Sequence, residues 1–155
     1  MVRDDLSSVK KQSKYLSWKD SAWSSFMVMF MHKLEPRHYN ADEVVYHDME
    51  ETEEILFVQQ GEYAIGYTLN SKEYLALRMG AKTVIGDYAV MFQKRSEFLY
   101  KALSPMNCMA IRKSVFQTVR DKYKHVAQKL KINSFNRYRD IVRSQVLEHK
   151  QETVL

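Results

Sequence analysis

The chain has little of what disulfide-built, collagen-like or membrane-spanning proteins are made from. One cysteine in 155 residues, Cys108, leaves no internal disulfide to form, so the fold must rest on its core and a reducing compartment is expected. Two prolines and four glycines exclude low-complexity and fibrous classes and leave few places where the chain must break. The longest apolar run, "FMVMFM" at 26–31, is too short to cross a bilayer as a helix. No charged-then-apolar leader opens the chain, so no secretion signal is expected and the reading is cytoplasmic, free or at the cytosolic face of a membrane. What is present is core material, with 45% hydrophobic and 12% aromatic residues, enough for one domain.

Charge is divided along the chain. Residues 1–111 hold 13 Lys/Arg against 15 Asp/Glu, whereas residues 112–150 hold 11 against 3. A basic C-terminal third suits an acidic partner, an anionic surface or nucleic acid, or forms only the solvated faces of helices.

Residues 1–17 are polar and aperiodic and read as a flexible lead-in. Apolar residues at three- and four-residue spacing (Trp23, Phe26, Met27, Phe30, Met31) predict a helix from Trp18 to Lys33, capped by Asp20 or Ser21 and ended by Pro36. Strands are predicted at 44–46, 55–61, 62–69 and 74–79, with a tight turn at "NSKE" (70–73), and again at 98–104 and 107–113 around Pro105. Val115, Phe116, Val119, Tyr123, Val126 and Leu130 predict a helix over 114–131 capped by Ser114. "INSF" (132–135) is expected to break it before a second helix over 133–148, leaving a tail at 149–155. Helix, many short strands and two helices describe an α+β domain with a sheet sandwich or roll.

The landmarks in order resemble the cyclic nucleotide-binding domain family, over roughly residues 18–145. They are "LEP" (34–36), Tyr39, "EVVY" (43–46), "ILFVQQG" (55–61), Gly80, the pair Gly86-Asp87, "CMAIRKSVFQTV" (108–119) and the paired helices within 116–141, which look like those of cation channels. The resemblance implies an antiparallel β-roll, jelly-roll-like, with an N-terminal helix and two C-terminal helices, over 18–148. It implies a non-enzymatic regulatory domain, the cytosolic part of a channel, that passes helix movement to an attached pore or partner. The ligand it implies is cAMP or cGMP. Gly80 stands farther from Gly86 than the family usually allows, so a bulge of a residue or two is expected there.

Site residues follow from the same resemblance. Gly86 would let backbone amides approach a cyclic phosphate, Asp87 would accept the ribose hydroxyl, and Ala89, Val90 and Met91 would form the short helix aimed at the phosphate. The family's phosphate-binding arginine falls on Ser96, with Arg95 one residue early and available only if the loop shifts register. Arg137 or Arg139, from the last helix, would cap the base. Glu97 and Phe98 stand where small residues belong. A carboxylate about 5 Å from the phosphate costs on the order of 3 kcal/mol at intermediate dielectric. The cassette therefore reads as degenerate, with binding weak or lost, unless Arg95 replaces the anchor. In some channel domains with such pockets a segment after the last helix fills the cavity, and "VLEHKQETVL" (146–155) is placed to do so.

Other readings are weaker. His32, His38 and His47 lack the His-x-His spacing of a cupin-type metal site. No Ser/His/Asp or Cys/His arrangement suggests catalysis. "ETVL" (152–155) matches a Thr-x-Leu carboxylate ligand for PDZ-type domains. The basic helices could contact DNA, as in bacterial regulators that add a helix-turn-helix to this domain, but direct nucleic-acid binding is not expected. A structural or docking module of the same fold, its basic helices holding an acidic partner, is the alternative function.

Overall fold

The structure, a computed structural model, describes residues 21–154. The lead-in at 1–17, the Asp20 cap and Leu155 of the PDZ-type ligand lie outside those residues. Helix α1 (Ser21–His32) is followed by β1 (Glu35–Tyr39), β2 (Val44–Tyr46), β3 (Glu54–Gln60), β4 (Tyr63–Leu69), β5 (Lys72–Met79) and β6 (Val84–Ile85). The short helix α2 (Asp87–Met91), β7 (Leu99–Ala102) and β8 (Met106–Arg112) complete the roll. Two antiparallel four-stranded sheets result, ordered β1-β8-β3-β6 and β2-β7-β4-β5. The expected β-roll is what forms.

Strand β3 explains why "ILFV" reads as one unbroken apolar run. Its side chains alternate, and both faces of its sheet are covered. Leu56 and Val58 point into the roll, among Tyr63, Ile65, Ile85 and Met106. Ile55 and Phe57 point out, into a second cluster built on Phe26 and Phe30 of α1 and on Phe116 and Val119. Phe30 meets Phe57 edge-on at 5.5 Å. Cys108 is buried inside the roll, and burial pushes its thiol up to about 11.

Three expectations need correction. The N-terminal helix ends at His32, before Pro36, which lies in β1 opposite Met109. Because β1 is an edge strand, the missing proline N–H breaks no ladder. Helix α3 (Lys113–Lys122) is capped by Arg112 rather than Ser114 and stops at Tyr123 (φ −123°, ψ 55°), not at "INSF". Tyr123 leaves the helical conformation where its ring packs edge-on to Phe26 at 5.8 Å. Helix α4 (Lys124–Arg137) then runs through "INSF", continues as a π-helical segment (Tyr138–Arg143) and ends as α5 (Ser144–Val154). Residues 149–154 are therefore the end of a helix. Between Gly80 and β6 the chain makes a turn with Lys82 in the left-handed region, and Thr83 Oγ1 donates to the Gly80 carbonyl at 2.6 Å.

The C-terminal helical run closes the open side of the roll. Val146 is fully buried in the roll's cluster, and Val142 and Leu147 pack beside it. Along α5, His149 Nδ1 lies 2.7 Å from the hydroxyl of buried Tyr67, which also donates to Thr153 Oγ1 at 2.7 Å. Among the described residues no helix is long and apolar enough to cross a membrane.

Candidate functional site

The phosphate-type loop begins where β6 delivers the chain to Gly86. This glycine has φ +85°, and a Cβ there would stand 2.8 Å from the Glu54 carbonyl oxygen and 2.9 Å from Thr52 Cγ2. Only glycine meets both demands. It caps the first turn of α2, in which Val90 N–H donates to the Gly86 carbonyl at 3.0 Å. Ala89 and Val90 are buried beneath the turn. The loop then doubles back through Gln93 (φ 54°), and Ser96 exchanges backbone bonds with Glu50 and Met49 at 2.8 and 2.6 Å.

That pairing decides where the candidate anchor points. Arg95 forms a bridge with Glu51, and its guanidinium donates to the Met49 carbonyl at 3.1 Å and pairs with Glu51 at 3.5 Å. Its side chain is more than half exposed. Ser96 faces inward, 4% exposed, and its hydroxyl donates to the Phe98 carbonyl at 2.7 Å. The inward position counted from Gly86 thus carries a hydroxyl, and Arg95 beside it reaches the cavity's edge with its guanidinium tied to the Met49 carbonyl and Glu51.

The space that remains is occupied from the C-terminal side. Tyr138, first residue of the π-helical segment, stacks flat on Tyr88 of α2, with centroids 4.0 Å apart and planes 6° apart. Phe98 lies against its other side at 6.2 Å. The Tyr138 hydroxyl donates to Glu97 at 3.2 Å, and burial pushes this phenol well above its ordinary range. Phe135 adds a contact to Phe92 at 5.8 Å, extending the aromatic layer along α2. The cavity left among Gly86, Ala89, Ser96 and Tyr138 measures about 20 Å³. That holds about one water molecule, whereas small-molecule sites run to roughly 300 Å³ and more. Among the described residues the Thr52 hydroxyl, beside it, is a buried side-chain oxygen without a partner.

Charge follows the same closure. Asp87 is engaged from the helix side, its Oδ2 accepting from Ser134 at 2.9 Å and from the Arg137 guanidinium. Glu97 accepts from Arg143 Nε at 3.2 Å. The roll side of this site therefore presents carboxylates and the helix side presents cations. Of the two candidate capping arginines, Arg137 reaches the site through Asp87, while Arg139 bonds Asp140 and lies over the Phe135 ring at 5.4 Å.

The sequence-predicted residues Gly86, Asp87, Ala89, Arg95 and Ser96 line one cavity, and Arg137 reaches it only through its pair with Asp87. Phe98, expected in a strand, is buried as expected but lies in the bend just before β7. Sequence reasoning missed Tyr88, Ser134, Tyr138 and Arg143. The available signal was that arginines at 137 and 143 flank Tyr138 while two acids face them from the loop. Of the segment 146–155, the described residues 146–154 do not line this cavity; as part of α5 they lie along β4 and β5. The three histidines do not converge, since His32 Nδ1 lies 2.7 Å from the Val28 carbonyl and His38 lies between Asn107 and Asn40. Among the described residues no group of three or more metal-ligating side chains assembles.

The Thermus thermophilus catabolite activator protein superposes with a TM-score of 0.63 at 13% identity, over 75% of this chain and 55% of that one. The N-terminal domain of a Streptomyces coelicolor A3(2) transcriptional regulator gives 0.61 at 14%, over 74% and 81%. The cAMP-bound PfPKA-R (141–441) gives 0.56 at 15%, over 68% and 36%. The chain spans about half the length of the first of these, and at such identities the likeness is one of fold. No curated protein sequence matches it. Residues 36–123, more than half of the chain, match the cyclic nucleotide-binding domain, and with the β-roll and its Gly86 loop this places the chain in the cyclic nucleotide-binding domain family.

Proposed function

We propose that this chain is a non-enzymatic regulatory domain whose cyclic nucleotide site is weak or lost, because its own C-terminal helix occupies the place of the ligand. The observation that carries this reading is Tyr138 seated on Tyr88 above an inward Ser96, with about 20 Å³ left beneath. A cyclic phosphate would meet Glu97 and Asp87, and the one guanidinium on the cavity's edge, Arg95, is already held by the Met49 carbonyl and Glu51. The arginines that do reach the site, Arg137 and Arg143, come from the lid and are already paired with those acids. The domain then works as a β-roll with a closed lid, and its output is the position of α3 and the α4–α5 run. Serving as the cytosolic part of a cation channel, as the paired helices suggest, fits such an output.

Calorimetric titration of the full chain with cAMP and with cGMP tests the reading. The expected result is no saturable heat and no thermal stabilisation at millimolar nucleotide. Micromolar binding of either nucleotide would overturn it.

A further inference from the structure

The described cavity with the most apolar lining lies on the other side of α2 from the nucleotide-type site. It measures about 310 Å³, between α1, the outer face of β3 and β6, α2, α3 and α4. Its walls are aromatic, from Trp23, Phe26, Phe30, Phe57 and Phe116, with the adaptable thioethers of Met27 and Met91 between them. Its polar end is made by Asp87, Asn133, Ser134 and Arg137. About 150 Å³ lined by apolar side chains accommodates benzene, so this volume suits a fused pair of rings.

The polar end selects the head group. Both described bonds to Asp87 land on Oδ2, leaving Oδ1 to accept from an incoming N–H or O–H. An anionic head would stand beside the Asp87 carboxylate, and a cationic one beside the Arg137 guanidinium. A neutral donor meets neither repulsion, and the Asn133 amide adds a further neutral partner. We propose that this cavity is a ligand site for a neutral, fused-ring aromatic molecule bearing one hydrogen-bond donor. The cavity is separate from the closed nucleotide-type site, so the proposal stands whether or not cAMP or cGMP binds. Asp87 lines both cavities, and Leu130, Ser134 and Arg137 belong to the helix that continues into Tyr138. Occupancy therefore bears on the helix that forms the lid.

The test uses the full chain labelled with methyl-13C methionine, titrated with 2-naphthol, 2-methoxynaphthalene, 2-naphthoate and decan-1-ol. Met27 and Met91 line the cavity, whereas Met49 is 61% exposed elsewhere. The Met27 and Met91 methyl signals are expected to shift saturably with 2-naphthol while Met49 stays in place. Binding is expected to be about fivefold tighter than for 2-methoxynaphthalene, which has no donor, and tighter than for the anion. Filling the cavity with Met27→Trp, or from α4 with Leu130→Phe, should abolish the Met91 shift in whichever variant melts cooperatively. No saturable shift, equal shifts at Met49, stronger binding of decan-1-ol or 2-naphthoate, or parent affinity in a folded, filled variant would each overturn the proposal.

Discussion

Replacing Tyr138 by alanine removes the ring that closes the roll, and its consequences can be worked from the contacts. The residue is 9% exposed and stacks between Tyr88 and Phe98. Large-to-small changes of buried aromatics cost about 3–5 kcal/mol. The lower end applies here, since the helix end can relax toward the gap. For a chain of this size each kcal/mol lowers the melting temperature by about 2–4 °C, so Tyr138→Ala should melt about 6–12 °C below the parent. Tyr138→Phe keeps the stack and gives up only the bond to the half-exposed Glu97, costing about 0.5 kcal/mol. Urea unfolding with matched slopes separates the two. Opening the cavity alone should not restore cyclic nucleotide binding, because Ser96 supplies no cation. The double variant Tyr138→Ala/Ser96→Arg puts a guanidinium where the hydroxyl faces inward, and its affinity for cAMP should exceed that of Tyr138→Ala by about tenfold or more. If Tyr138→Ala melts with the parent, the ring does not hold the lid. If that single variant binds cAMP tightly, occlusion and not the missing guanidinium was the barrier.

Gly86→Ala should destabilise the domain by about 1–3 kcal/mol, since it forces a positive φ on a Cβ that meets the Glu54 carbonyl at 2.8 Å; denaturant midpoints measure this, and a neutral result would refute the loop geometry. Cys108 should resist alkylation at pH 8 in the folded chain and react on unfolding, which trapping with iodoacetamide reads directly. Its folded pKa of about 11 lies above the ordinary 9.0, and those of Tyr39 and Tyr63, about 12, lie above 10.0, so these groups favour folding below pH 9. That contribution is lost as pH rises from 9 to 12, and stability measured across that window should fall; a flat profile contradicts their burial. Deleting residues 149–155 removes both described partners of the Tyr67 hydroxyl and should cost about 1–3 kcal/mol, checked by thermal unfolding, with an unchanged midpoint showing that α5 ends without holding the sheet.

The parts of the fold that were legible in the sequence are those set by local chemistry. "ILFVQQG", the hairpin around "NSKE" and the Gly86 turn carry alternation or backbone demands that act within a few residues. The helix break at Tyr123 was not legible, because a tyrosine on the apolar face of a helical period gives no local reason to stop. The ring of Phe26, almost a hundred residues earlier, supplies the reason. The same holds for the π-helical segment, which starts at the Tyr138 that stacks on Tyr88 and has no signature in "YRDIVR". Within the site, counting from Gly86 identified Ser96 as the inward position. The direction of Arg95, though, depends on a bridge to Glu51, a pairing between distant segments that spacing alone does not reveal.

The two-sided burial of β3 has a consequence for how this domain can change length. A strand with one wet face resists slipping because the slip would put apolar side chains in water. Over Ile55–Val58 both faces of β3 are covered, so along this stretch polarity does not specify the register and volume must. Moving Phe57 to the inner face would drive a ring among Ala102, Ala110 and Ile85, all fully buried, and leave the helices facing a smaller side chain. Insertions should therefore gather in the turns at 48–53 and 80–83, and β3 should keep its length even where its residues are exchanged.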